Sequence, residues 1–300
     1  MDQVQGNPAL VNIFIALQIT GTLGFFLILL TAFLSPQVFR HPTWFSFCLS
    51  WIVWGVSFSL LFFAGQQTHV TSQSLCIAQS ALVYAVPVLT GLTSVALVVY
   101  LLLNVLSALL SRTAAKPHFV MFLLVCIPWL LGGAAFMSFL LYAIKHPSDV
   151  QLNHNGTYCG IVNSYLPKIT AVTSTCLAVT IVILEILIGI ILYRHKSYIH
   201  GFPQSVSLAT QLALFTTVAL SAAGIGLVFV ATRTRGAVFD IMMSAVLLAA
   251  SVIFGSQRDI LLTWMFWRPR SSALWPTQRT GWSSGELSSI ESTGTVGRPQ

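Results

Sequence analysis

Residues 75–110 read LCIAQSALVYAVPVLTGLTSVALVVYLLLNVLSALL, 36 residues without one charged side chain. At ~1.5 Å rise per residue, a helix of that length measures roughly 54 Å, well beyond a ~30 Å hydrocarbon core. Such a helix must tilt, bend near Pro87 or project from the bilayer. Cys76 stands just inside its start, and Arg112 and Lys116 follow its end. The whole interval from His41 to Ser111 lacks Lys, Arg, Asp and Glu. No water-soluble fold could cover its surface with so few charges, so lipid is the solvent for much of this chain.

Composition agrees. Only 7% of the 300 residues are charged and 56% are hydrophobic, whereas a soluble domain carries about 25% charged residues. The net charge of +7 raises nucleic acid as a partner. The basic residues, however, lie between and after hydrophobic runs, as topology signals beside a bilayer do. The expected partner is membrane lipid, with no nucleic acid.

Outward from residues 75–110, six more apolar segments appear, at 11–34, 44–64, 119–144, 168–193, 206–231 and 238–263. Each reaches the ~20 residues a spanning helix needs. The runs are continuously apolar, unlike the ~10-residue alternating strands of a membrane barrel. The expected fold is therefore an all-α membrane protein, a seven-transmembrane helix bundle. No internal repeat of 20–50 residues is visible, which weakens an inverted-repeat transporter reading. No cleavable signal peptide is evident: residues 1–10 carry no Lys or Arg and form a short translocated N-terminus.

Lys and Arg set the orientation. With the N-terminus outside, Arg40, Arg112, Lys116, Arg194, Lys196, Arg258, Arg268, Arg270, Arg279 and Arg298 are cytoplasmic. Lys145, Lys168, Arg233 and Arg235 are outside. Ten against four predicts N-out, C-in. Asn155-Gly156-Thr157, a glycosylation sequon, then falls in the outer loop between segments four and five. Cys76 and Cys159 fall on the same, oxidising side. The opposite orientation would put all three in the cytosol.

The bundle occupies residues 11–263. Beyond it, ILLTWMFW at 260–267 precedes Arg268-Pro269-Arg270. Residues 264–270 either belong to an interfacial helix with Trp at headgroup depth or merely finish helix seven. Eleven of the thirty residues at 271–300 are Ser or Thr, the composition of a disordered cytoplasmic tail.

Five cysteines occur, without a CxxC pair, so zinc and thioredoxin-like chemistry have no support. Cys48, Cys126 and Cys176 lie inside apolar segments. A disulfide between Cys76 and Cys159 would pin the outer loop across the mouth of the bundle; the alternative is two free thiols. Glu185 is the one carboxylate deep in a span. It reads as an intramembrane switch, as a proton-coupled transport site, or as a neutral acid bonded to a neighbour. Gln18, Gln79, Asn104 and Gln211 are polar residues on apolar helices, suited to interhelical hydrogen bonds. Asn104 joins Glu185 as a switch candidate. Gln79, Tyr84 and Asp240 are candidates for an outer ligand pocket, against plain packing. Arg40, Arg112, Arg194, Lys196 and Arg258 line the inner face, which topology alone also requires. No HExxH or P-loop pattern is present, so neither an enzyme nor a cofactor or metal is expected. Segment seven has no lysine for a retinal Schiff base.

The assembled pattern resembles the G-protein-coupled receptor superfamily, most closely the orphan seven-helix receptors of mushroom-forming fungi, and more faintly the slime-mould cAMP-receptor group. The resemblance rests on Arg40-His41-Pro42-Thr43-Trp44, on Leu75-Cys76-Ile77-Ala78-Gln79 and on Tyr158-Cys159-Gly160-Ile161. It rests also on Phe254-Gly255-Ser256-Gln257-Arg258-Asp259-Ile260 and Trp264-Met265-Phe266-Trp267-Arg268. It covers about residues 10–270. It implies a plasma-membrane receptor for an extracellular ligand, a Cys76–Cys159 disulfide and signalling through a heterotrimeric G protein. The departures are specific. Segment three ends Ser111-Arg112-Thr113 without an acidic neighbour, segment six has no CWxP and segment seven no NPxxY. The rival expectation is a fungal seven-helix transporter or lipid-handling protein with Glu185 as its proton-coupling residue.

Overall fold

The computed structural model of the protein describes residues 8–35, 40–66, 72–109, 118–153, 155–162, 165–194, 210–218, 220 and 237–264. The helices are α1 (Pro8–Leu34), α2 (Pro42–Phe58), α3 (Leu60–Phe63), α4 (Gln73–Leu109) and α5 (His118–Lys145). A two-stranded antiparallel hairpin follows, β1 (Val150–Leu152) and β2 (Cys159–Ile161), and then α6 (Tyr165–Arg194), α7 (Ala237–Gly255) and α8 (Arg258–Trp264). Residues 210–218 are helical; the rest of the expected sixth segment lies outside the described residues. So do the tail at 271–300 and residues 265–270.

Four helices, α1, α4, α5 and α6, are long and apolar enough to cross a membrane. The organising stretch is one 37-residue helix that continues through Pro87. Proline removes the bond to the carbonyl four residues back, and nearby Thr90 sends its hydroxyl to the carbonyls of Val86 and Pro87. Two expected segments are each divided. The second breaks at Ser59 into α2 of 17 residues and α3 of four. The seventh breaks at Ser256-Gln257 into α7 of 19 residues and α8 of seven. Hydropathy runs unbroken across Ser59, whereas Ser256-Gln257-Arg258-Asp259 interrupts the seventh segment; both breaks carry tertiary bonds described below. They correct the expectation of continuous helices at 44–64 and 238–263. α1 also begins at Pro8, which shortens the expected N-terminal segment.

α4 is the central pillar, with α2, α5 and α6 packed on it. α1 lies against α2 and α7. The buried seam of α1 repeats at helical spacing: Val11, Phe14, Gln18, Gly21, Phe25, Ile28 and Ala32. On α2 the buried face is aromatic, with Trp44, Phe47, Trp51, Trp54 and Phe58 spaced by three and four. Phe25 stacks on Trp51 at 6.0 Å, and Phe47 meets Phe254 of α7 at 4.8 Å. The opposite surfaces of α5 and α6 expose Phe122, Leu130, Val172 and Ile183, a lining suited to hydrocarbon rather than water.

The α1–α7 contact depends on small residues. A Cβ at Gly21 would stand 2.7 Å from Leu247 Cγ and 3.0 Å from the Leu248 backbone nitrogen. A side chain can rotate away, but backbone of a packed helix cannot. Gly21→Ala is therefore expected to destabilise the fold by about 1–3 kcal/mol. Gly133→Ala, whose Cβ would meet nothing within 4 Å, is expected to leave stability unchanged or slightly raised, since alanine favours helix. Thermal unfolding of both variants in nanodiscs checks the contrast.

Candidate functional site

The hairpin between α5 and α6 is the most elaborated part of the described chain. Its strands pair Val150 with Ile161 and Leu152 with Cys159. The connecting turn closes with Gly156 N–H on the Asn153 carbonyl at 2.7 Å. Gly156 has φ 71°, in the left-handed region that favours glycine. At the base, Tyr142 of α5 donates to Asp149 Oδ2 at 2.9 Å.

Three expected residues of α4 hold the hairpin. Cys76 is disulfide-bonded to Cys159, with Cα atoms 5.3 Å apart. Gln79, fully buried, accepts the Cys159 N–H on Oε1 at 2.9 Å. Its Nε2 donates to the carbonyls of Ser57 and Phe58 at 3.2 and 3.3 Å. These carbonyls lie in the last turn of α2, where no further turn of the helix supplies a donor. Gln79 thus accounts for the break at Ser59 and joins it to the hairpin. The Tyr84 hydroxyl donates to the Ile161 carbonyl at 3.2 Å and accepts its N–H at 3.3 Å. It pairs the free edge of β2 as a neighbouring strand would.

The far side of the hairpin is held by Asp240 in the first turn of α7. Its Oδ2 accepts from Asn155 Nδ2 at 2.8 Å, Thr157 Oγ1 at 3.0 Å and Asn153 Nδ2 at 3.1 Å. Its Oδ1 accepts from the Tyr158 hydroxyl at 3.2 Å. All four partners are donors, and a carboxylate has the lone pairs to receive them. Thr157 and Asp240 are 2% and 4% exposed, so these bonds form away from solvent. The Tyr158 ring also packs between Phe14 of α1 and Phe58 of α2. The hairpin is a cap fastened to α4 on one side and to α7 on the other.

A second polar cluster lies at the opposite end of the same helices. Arg40 forms a salt bridge with Asp259 and donates to Gln257 Oε1. Gln257 Nε2 donates to Gln211 Oε1. The Arg40 guanidinium lies 5.6 Å from the Trp44 ring centroid. Next to it, His41 caps α2 by accepting the Thr43 N–H and stacks on Tyr100 of α4 at 3.9 Å. Gln257, 3% exposed, sits at the break between α7 and α8. The turn there aims its amide at both partners. α8 then folds back, burying Ile260 and placing the Trp264 indole on Thr31 Oγ1 at 2.8 Å. Residues 258–264 are thus a separate short helix rather than the last turn of α7.

Cys76, Cys159, Gln79, Tyr84, Asp240 and Asn155 all converge on the cap. Gln79, Tyr84 and Asp240 hold it rather than standing free in a pocket. Arg40 is paired with Asp259, whereas Arg194 is exposed at the end of α6. Arg112, Lys196 and the Arg258 side chain lie outside the described residues. Glu185 accepts from Thr216 Oγ1 at 2.8 Å, a bond between α6 and the sixth segment. Asn104 is not beside it. α4 and α6 run in register, Gly91 facing Leu177 and Thr170 bonding the Tyr84 carbonyl. Asn104 therefore stands about 7 Å further along than Glu185. Gln18 is fully buried, and neither of its amide atoms is bonded among the described residues.

Asn153 was not singled out from sequence, and Thr157, Tyr158 and Gln257 entered there only as members of the sequon or of the resemblance motifs, with no role of their own. The first three flank or share the sequon, a signal that draws attention to Asn155 alone. Gln257 follows an apolar run as any helix-ending polar residue would.

No protein-family model matches this chain, and no curated protein matches it by sequence. Fold and site together define an all-α membrane protein with a disulfide-anchored hairpin cap.

Two outcomes test the cap. Asp240→Ala would strand four donors, and each hydrogen bond to a charged group is worth about 1.5–3 kcal/mol; the variant is expected to lose cap protection in hydrogen exchange. Cys76→Ser is expected to cost about 2–4 kcal/mol and to release β2 while the α1–α7 contact stays protected. Equal protection of hairpin amides in the wild type and both variants would refute the assigned anchoring.

Proposed function

We propose that this protein is a seven-helix plasma-membrane receptor of the G-protein-coupled type, with the hairpin outside and the Arg40 cluster in the cytoplasm. One observation carries the reading: α7 ties both ends together. Asp240 at its head holds the cap, and Gln257 and Asp259 at its foot join Arg40 and the sixth segment. From Asp240 to the end of α7 at Gly255 the helix runs about 23 Å, and Gln257 follows two residues later. A ligand that binds one arrangement of the cap more tightly than another shifts the population of helix arrangements. The cytoplasmic face, with Arg112, Arg194, Lys196 and Arg258, then presents that difference to a heterotrimeric G protein. The partner itself rests on the resemblance noted in the sequence.

Glu185 favours a second reading, transport. A carboxyl inside a span marks a functional path by default, and its bond to Thr216 links two helices. Glu185→Gln separates the readings: loss of pH-dependent flux supports transport, and altered basal signalling supports a receptor.

The first experiment is association of the purified protein in nanodiscs with Gα subunits of the source organism. Receptor coupling predicts a complex with nucleotide-free Gα that dissolves on addition of a non-hydrolysable GTP analogue. No complex with any Gα, together with pH-dependent flux lost in Glu185→Gln, would overturn the receptor reading.

A further inference from the structure

Asn155-Gly156-Thr157 has the form of a glycan acceptor, yet both of its defining side chains are already engaged. Asn155 Nδ2 and Thr157 Oγ1 reach the same atom, Asp240 Oδ2, at 2.8 and 3.0 Å. Thr157 is 2% exposed and Asp240 4%, and Asn155 is half-buried, so the nitrogen that would carry a sugar ends on a buried carboxylate at the contact between the cap and α7. Glycan attachment forms a bond from Nδ2 to C1 of a sugar. It breaks the bond from C1 to the oxygen of a lipid diphosphate donor and releases one Nδ2 proton. The product would place a sugar ring on an atom that lies 2.8 Å from a buried carboxylate. Nδ2 would keep one hydrogen for Asp240, and the sugar ring would have to fit beside that bond, in the space between the turn and the head of α7.

We propose that this sequon is a latch: closure of the cap on Asp240 and glycosylation of Asn155 exclude each other, and the closed protein carries an unmodified Asn155. Two residues of a modification motif thereby become the closing contacts of the cap. The Asn153 and Tyr158 bonds to the same carboxylate make the latch cooperative, because all four donors leave together when the turn lifts. The inference rests on the proposed reading in placing the hairpin outside, and beyond that it stands whether the protein signals or transports.

The test uses the full chain made in a glycosylating host and purified in nanodiscs. Two quantities are read: the mass of the peptide carrying Asn155, and hydrogen exchange at the β2 amides. An unmodified peptide is expected from the wild type. Asn155→Ala is expected to speed β2 exchange in the wild type but not in an Asp240→Ala background, since both variants break the same contact. If Asp240→Ala does not accumulate, Asp240→Asn takes its place. A glycan on Asn155 in molecules whose β2 amides exchange as slowly as the unmodified form would overturn the proposal. So would an Asn155→Ala effect that adds in full to that of the Asp240 variant.

Discussion

A carboxylate at the head of an apolar helix has to find its hydrogen-bond donors in the protein, because hydrocarbon offers none. Asp240 finds four, all from one turn of the hairpin. The turn must therefore lie over α7. Its strands must lie where Gln79 and Tyr84 can satisfy the backbone of Cys159 and Ile161. The disulfide alone would leave the hairpin free to pivot about Cys159. A covalent tie on α4 and a hydrogen-bonded tie on α7 together define its position.

The same constraint explains both helix breaks. Ending a helix inside a membrane protein exposes carbonyls that need donors. At Ser59 the donor is the Gln79 amide, so the break is tolerated only because a buried side chain of the adjoining helix faces it. At Ser256-Gln257 the chain turns so that Gln257 meets Arg40 and Gln211, and Asp259 meets Arg40. Each break carries a polar junction of three elements. Between the junctions the packing is apolar, with the aromatic face of α2 and the glycine contacts of α1 against α7.

The four long apolar helices α1, α4, α5 and α6 were legible in the sequence because hydropathy is a local property: residues 75–110 already specify a long apolar helix, and α4 follows within two residues at each end. The Cys76–Cys159 pair was legible because the orientation left no other cysteine on that side. The break in the seventh segment had a signal in Ser256-Gln257-Arg258-Asp259, a polar run between apolar ones; the one in the second was not legible, since Ser59 interrupts no apolar run. Nor were the partners of the charged residues. Asp240 meets residues 82–87 positions away and Arg40 meets Asp259 across 219. Sequence marked Gln79, Tyr84 and Asp240 as candidates for one ligand pocket; in the structure all three hold the hairpin. What it could not supply was the hairpin between them, because three-residue strands carry too few positions for an alternating pattern.

Gln18 departs from this polar pairing. It occupies the buried seam of α1 between Phe14 and Phe25, level with Ser244 by the register that sets Gly21 on Leu247 and Gly24 on Ser251. Ser244 turns its hydroxyl to carbonyls of its own helix rather than across to α1. A polar side chain on an apolar seam penalises any shift that moves it into hydrocarbon, as a buried polar position does in a coiled coil. Sliding α1 along α7 by one turn would also drive Gly21 and Gly24 out of their contacts and replace them with larger side chains. Gln18 and the two glycines thus oppose the same motion by different means, one through polarity and the others through size. They hold α1 in register with the helix that links the cap to the Arg40 cluster.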